Sequence, residues 1–206
     1  RLFKPGGGEE EDSDAKTDVL KLCVLGRPNV GKSTLVNLLL KQDRMVVSER
    51  PGTTRDAIET GFVYQGRTIR LVDTPGVRRN DRIVDGLERT MARIALITAS
   101  TADVGLLMLD ISQGLVAQDL RLVTHLWDRG VTTVVAANKW DLAEERAWTT
   151  AKALEEKFRQ RMFNAADVPF ILISAKTEHG ITRLMKTVFD VAVAARTPAW
   201  AAPMIK

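Results

Sequence analysis

A chain of 206 residues has room for one domain and some flanking sequence. Hydrophobic residues make up 45% and charged residues 27%, proportions that exclude a disordered, collagen-like or coiled-coil chain. The single cysteine, Cys23, excludes an internal disulfide framework and points to a reducing compartment. No apolar run approaches the ~20 residues of a membrane-spanning helix, so no membrane role is expected.

The net charge of +4 is unevenly spread. Residues 1–19 carry three basic and six acidic side chains, which leaves 27 basic against 20 acidic in the remainder. An acidic leader therefore precedes a basic domain, whose excess charge serves either solubility or a polyanionic partner. The chain opens on Arg1, and nothing before Asp18 has the apolar core of a signal peptide, so it reads as a piece of a longer chain. Lys4-Pro-Gly-Gly-Gly and the acids that follow have nothing to bury, which makes 1–18 a flexible linker.

From Val19 onward strand-like and helix-like segments alternate, the pattern of an α/β fold with a mainly parallel sheet. Val19–Leu25 is a short apolar strand and Lys32–Leu40 a helix. Thr60–Tyr64 and Thr68–Val72 flank Gln65-Gly66-Arg67 as a hairpin. Asp85–Ala99 reads as helix, Val104–Leu109 as strand and Ala117–Arg129 as helix, stopped by a left-handed Gly130. Val131–Ala137 is a β-branched strand, Trp148–Met162 a helix and Phe170–Ile173 a strand. Ile181, Leu184, Met185, Val188 and Ala192 give helical spacing to the last element. The domain spans 19–197, and 198–206 begins a linker or a following domain.

The chemistry is concentrated at the ends of these segments. Gly26-Arg27-Pro28-Asn29-Val30-Gly31-Lys32-Ser33 has the spacing of a phosphate-binding loop between a strand and a helix. There the backbone wraps a phosphate chain, Lys32 reaches the β- and γ-phosphates and Ser33 ligates Mg²⁺. Asn138-Lys139-Trp140-Asp141 ends a later strand. A carboxylate at Asp141 can accept from both guanine N1–H and the exocyclic amine, a donor pattern adenine lacks. Asn138 would tie the loops together, and the Lys139 stem would lie along the purine face. Asp73-Thr74-Pro75-Gly76 places an acid for Mg²⁺ and an amide for a γ-phosphate. Thr54, or secondarily Thr53, in Gly52-Thr53-Thr54-Arg55-Asp56 can complete the Mg²⁺ shell. Ser174-Ala175-Lys176 can meet guanine O6 through its backbone.

Five such elements in this order resemble the Era-like GTPases, and most closely the second GTPase domain of the Der (EngA) ribosome-assembly family. The resemblance rests on Gly26–Leu35, Gly52–Ala57, Asp73–Arg79, the stretch around Leu87–Asp103, Gln113–Asp119 and Asn138–Leu142. It covers about residues 21–193 and departs from the family pattern at Pro75, where alanine is usual. It implies a P-loop GTPase domain with a six-stranded, mostly parallel sheet, one antiparallel strand and helices on both faces. It implies GTP or GDP contacts at Gly26, Asn29, Val30, Gly31, Lys32, Ser33, Thr34, Asn138, Lys139, Asp141, Ser174, Ala175 and Lys176. Mg²⁺ would be held by Ser33, Thr54 and Asp73, and catalysis supported by Lys32, Thr54, Gly76 and Asn29.

The position after the Asp73–Gly76 element, where Ras-like proteins carry a water-orienting glutamine, is Val77. Hydrolysis is therefore expected to be slow alone or assisted. The resemblance makes Asn29 a K⁺ ligand, and K⁺ would stand in for an arginine finger. The implied partners are the pre-ribosomal large subunit, with its rRNA and ribosomal proteins, and further GTPase and KH-like domains of a longer chain. The implied setting is a bacterial cytoplasm or a mitochondrial or plastid matrix, on the ribosome. Arg78, Arg79, Arg82, Arg89 and Arg93 form either a solvated helix face or a nucleotide-switched surface for rRNA. Two other readings compete: a nucleotide-loaded structural module that hardly hydrolyses, and an Era-like GTPase acting in tRNA modification or at membranes. His125 and His179 lack any metal-ligand or nucleophile spacing and are given no role.

Overall fold

The structure, a computed structural model, describes residues 19–42, 60–72, 102–142, 147–162 and 165–196. The leader 1–18, the helix expected over 85–99 and the segment 198–206 lie outside the described residues. Six strands are described: β1 (Leu20–Leu25), β2 (Thr60–Tyr64), β3 (Arg67–Leu71), β4 (Val104–Asp110), β5 (Thr132–Asn138) and β6 (Phe170–Leu172). The described helices are α1 (Lys32–Gln42), α2 (Ala117–Trp127), α3 (Ala147–Arg161) and α4 (Ile181–Arg196), with a 3-10 turn at Trp140–Leu142. The strands form one sheet in the order β2-β3-β1-β4-β5-β6. Only the β2–β3 pairing is antiparallel, as expected from the sequence.

Strand alternation explains why helices cover both faces. Leu22, Val24, Leu106, Met108, Val134 and Ala136 point to one side, where Leu35, Val36 and Leu39 of α1 and the apolar stripe of α4 pack on them. Leu107, Leu109, Val135 and Ala137 point to the other, against Leu122 and Val123 of α2 and Ala151, Leu154 and Phe158 of α3. A strand buried on both faces reads as a continuous apolar run, which is what β4 and β5 are. Cys23 faces Leu25, Leu126 and Val131 with no exposure, a small apolar core residue.

The hairpin loop is shorter than the sequence suggests. Gln65 and Gly66 both take positive φ, 49° and 76°, which makes a two-residue turn of the primed kind. Arg67 therefore belongs to β3 and pairs with Tyr64. Its guanidinium lies over the Phe189 ring of α4, 4.9 Å from the centroid.

Gly130 ends α2 in the expected left-handed conformation, with φ +70°. The amide of Val131 donates to Leu126 and that of Gly130 to Trp127, which satisfies two of the last carbonyls of the helix. A Cβ at Gly130 would meet nothing within 4 Å, so the cost of Gly130→Ala is backbone strain alone. That cost is about 1–2 kcal/mol. A thermal melt should move down by about 2–4 °C per kcal/mol for a domain of this size.

The start and end of the described domain are fastened together. Arg196, at the end of α4, donates to the carbonyl of Val19 at 3.0 Å and to Asp103 Oδ2 at 2.9 Å. The same carboxylate oxygen accepts from the Lys21 amide at 2.7 Å, beside the first strand. The parallel strands run away from this clasp, and the loops at their carboxyl ends gather at the opposite pole, where α/β sheets of this kind place their sites.

Candidate functional site

Three loops meet at that pole: the loop between β1 and α1, the one after β5 and the one after β6. The first must turn sharply, because α1 starts at Lys32, seven residues after β1 ends. Gly31 sits at φ +102°, and a Cβ there would stand 2.2 Å from the Asn138 amide nitrogen. Only glycine permits that approach. Asn29 is exposed at φ +63°, a conformation asparagine tolerates better than most residues. Val30 is buried in the core by its side chain, so the loop can offer a ligand only its backbone there.

Lys32 Nζ donates to the carbonyls of Gly26 and Arg27 at 2.8 and 2.7 Å. These bonds fold its chain back over the loop and hold the ammonium at its mouth. Burial lowers its pKa from the ordinary lysine value. Ser33 and Thr34 follow, exposed in the first turn of α1, where helix N–H groups and the helix dipole favour an anion. Thr54, Asp73 and Gly76 lie outside the described residues. Among the described residues no cluster of three or more His, Cys, Asp or Glu side chains is disposed to hold a metal.

Asn138 joins all three loops, as its place in the sequence suggests. Its Nδ2 donates to the Val30 carbonyl at 2.7 Å, and its Oδ1 accepts from the Ala175 amide at 2.9 Å. The side chain is almost fully buried, so both bonds are made away from water and hold geometry firmly. Asp141 is exposed, and Ser174 Oγ donates to its Oδ1 at 2.6 Å. The same hydroxyl accepts from the Thr177 amide at 3.1 Å. Ser174 is thus the post that aims the Asp141 carboxylate. Lys176 is exposed beside it.

The structure adds residues that the sequence reading left without a role. Asp110, at the end of β4, is one: its Oδ2 accepts from Lys139 Nζ at 2.7 Å. Burial alone would raise the Asp110 pKa, but the Lys139 ammonium and two bonds from Ser112 outweigh it and hold the carboxyl below its ordinary value. His179, read as a lone loop histidine, stacks on Trp140 with ring centroids 6.2 Å apart and planes 17° from parallel. Arg27 reaches a fully buried Asp119 in α2, with Nε 2.9 Å from Oδ1. Burial raises the Asp119 pKa, against the opposing pull of the Val116 amide and Arg27. The available sequence signals were Asp110 closing an apolar strand and the acid in Gln113–Asp119, but neither named its partner.

Taken together, the geometry makes one tight glycine-bearing loop, knitted by a buried asparagine to a neighbouring loop that presents an exposed carboxylate. The comparisons with known proteins show the family. GTPase Der of Caldanaerobacter subterraneus subsp. tengcongensis is 40% identical over 179 residues, 87% of this chain and 40% of that protein. GTPase Der of Chloroherpeton thalassium is 38% identical over 182 residues, 88% of this chain and 42% of that protein. The chain therefore spans about two fifths of the length of these relatives. Among solved structures, Era in complex with MgGDPNP and a segment of 16S ribosomal RNA superposes with a TM-score of 0.63 at 27% identity, over 84% of this chain and 56% of that one. The family described as 50S ribosome-binding GTPase matches residues 21–139, more than half of the sequence and both the phosphate loop and the start of the base loop. The chain belongs to the 50S ribosome-binding GTPase family.

Proposed function

We propose that this chain is the GTP-binding and GTP-hydrolysing switch domain of a protein that acts in assembly of the large ribosomal subunit. The observation that carries the reading is Asn138, which bonds the phosphate loop at Val30 and the last loop at Ala175 while Asp141 stands beside it, aimed by Ser174. That arrangement fits a guanine nucleotide stretched between Lys32 and Asp141. The family description supports the ribosomal setting. Partners on this reading are rRNA and ribosomal proteins of the large subunit, and further GTPase and KH-like domains of a longer chain. The domain would comprise 19–197, with 1–18 an acidic linker and 198–206 leading onward, and the setting a bacterial cytoplasm or an organellar matrix.

Ser33 fits a magnesium ligand, a hydroxyl on the first turn of a helix beside the lysine that would meet the phosphates, with Thr54 and Asp73 completing the set. The ion would supply charge neutralisation between the β- and γ-phosphates. Lys32 holds the same phosphates by charge, Gly31 lets the backbone approach them, and Asp141 fixes the base, so this chain's part in hydrolysis is orientation. Val77 cannot orient water, and the resemblance of Asn29 to the phosphate-loop asparagine of K⁺-stimulated GTPases supports K⁺ there as the assisting charge.

Turnover in KCl against NaCl at equal ionic strength tests the enzyme reading. We expect about tenfold faster hydrolysis in KCl, a small part of what a supplied positive charge achieves in related phosphoryl transfer. Asn29→Gly, which removes the amide without straining φ, should abolish the difference. Equal, negligible turnover in both salts, with nucleotide binding retained, would favour the structural-module reading instead.

A further inference from the structure

We infer that the loop between β4 and α2, residues 111–116, is a strut that sets the spacing between the phosphate loop and the base loop, with Arg27 and Asp119 as its positioning residues. The inference rests on the nucleotide reading given above.

The strut is fixed at both ends by charge. At one end Asp110 Oδ2 accepts from Lys139 of the base loop at 2.7 Å. At the other, all three guanidinium nitrogens of Arg27 are spent on the strut and the helix it leads into: Nε on Asp119 Oδ1 at 2.9 Å, Nη1 on Gln113 Oε1 at 2.8 Å and Nη2 on the Gly114 carbonyl at 3.3 Å. A planar fork engaged at three points fixes orientation as well as distance, which a lysine at this position cannot do.

Between its ends the loop is stiff. Asp110 Oδ1 accepts from both the amide and the hydroxyl of Ser112, at 2.9 and 2.6 Å. The Asp110 carbonyl accepts from the amides of Gln113 and Gly114, and the Ile111 amide donates to the Asn138 carbonyl. Ile111 and Leu115 are buried beneath. The second oxygen of Asp119 accepts from the Val116 amide at 3.1 Å, so the same carboxylate that anchors Arg27 also closes the first turn of α2. Arg27 stands in the phosphate loop, five residues before the lysine that meets the phosphates, and Lys139 stands two residues before the acid that reads the base. A nucleotide touches both loops at once, so its residence depends on their separation.

The test is release of a ribose-labelled fluorescent GDP from the chain and its variants, read by rapid mixing, with thermal melts alongside. Arg27→Lys and Asp119→Asn should each speed release about tenfold, the weight of one charge-assisted hydrogen bond. Because both act through one clamp, the double variant should release little faster than either single one. Gln113→Ala removes one exposed partner of the fork and should speed release about twofold, with its melt unchanged, the scale of a hydrogen bond screened by solvent. The preference for GDP over inosine diphosphate, which lacks only the 2-amino group, should stay constant in every variant, because Asp141 is untouched.

Unchanged release in Arg27→Lys and Gln113→Ala, whatever the melts do, would overturn the strut and leave Arg27 a stabilising residue only. Loss of the GDP over inosine diphosphate preference would also overturn it, since the base loop itself would then have come apart. Failure of the unaltered chain to bind GDP would overturn the nucleotide reading and the strut with it.

Discussion

Asp141→Asn should weaken GDP binding by about a hundredfold and turn the preference of the site toward xanthosine diphosphate. A carboxylate can accept two charge-assisted hydrogen bonds from the guanine N1–H and 2-amino group, worth about 1.5–3 kcal/mol each. An amide keeps one acceptor and points a donor at the other group, so most of that interaction is lost, and 1.4 kcal/mol is tenfold. Xanthine carries a carbonyl where guanine carries the amine, and the amide N–H then finds an acceptor. The substitution keeps the size of the side chain and its access to Ser174 Oγ, 2.6 Å from Oδ1 in the structure. Competition titrations with guanosine, xanthosine and adenosine diphosphates check this. Unaltered GDP affinity in the variant would remove Asp141 from the base site.

Gly31→Ala should be more damaging still, with nucleotide binding down by more than about a hundredfold and stability down by about 2–5 kcal/mol. The added Cβ would stand 2.2 Å from Asn138 Nδ2, with φ at +102°. Left-handed strain for a non-glycine residue costs about 1–2 kcal/mol. Driving the Asn138 amide off the Val30 carbonyl leaves buried polar groups without partners, about 1–3 kcal/mol more. Gly66→Ala is the matching control. Its φ is +76°, yet nothing lies within 4 Å of the added carbon. It should lose stability through strain alone and keep its nucleotide affinity. Equal affinity in the two variants would mean that the Asn138 bridge does not govern the site.

The legible and the hidden parts of this molecule differ in kind. Strands β4 and β5 announce themselves, since burial on both faces favours a nearly continuous run of apolar and β-branched residues. The stripe of α4 does too, because Ile181, Leu184, Met185, Val188 and Ala192 repeat at helical spacing. The phosphate loop and the Asn138–Asp141 segment are legible because their chemistry is packed into consecutive residues. Arg27 and Asp119 are 92 residues apart, and Lys139 and Asp110 are 29 apart. No local period links such partners, so the sequence marks each residue without marking the pair. His179 beside Trp140 is hidden for the same reason: the stack follows from where two loops end up. The hairpin turn was legible but read one residue too long, because Gln65 gives no sign that it will adopt positive φ.

The clasp of Arg196 on Asp103 and the Val19 carbonyl makes the domain a moored body. Chain entering at 19 and chain leaving at 196 share one anchorage, and the nucleotide loops lie at the far pole, six strand residues away along β1, or roughly 20 Å. A neighbour that tugs on either end would load the same point. Over that distance a tilt of about 3° at the mooring would carry the phosphate loop through about an ångström.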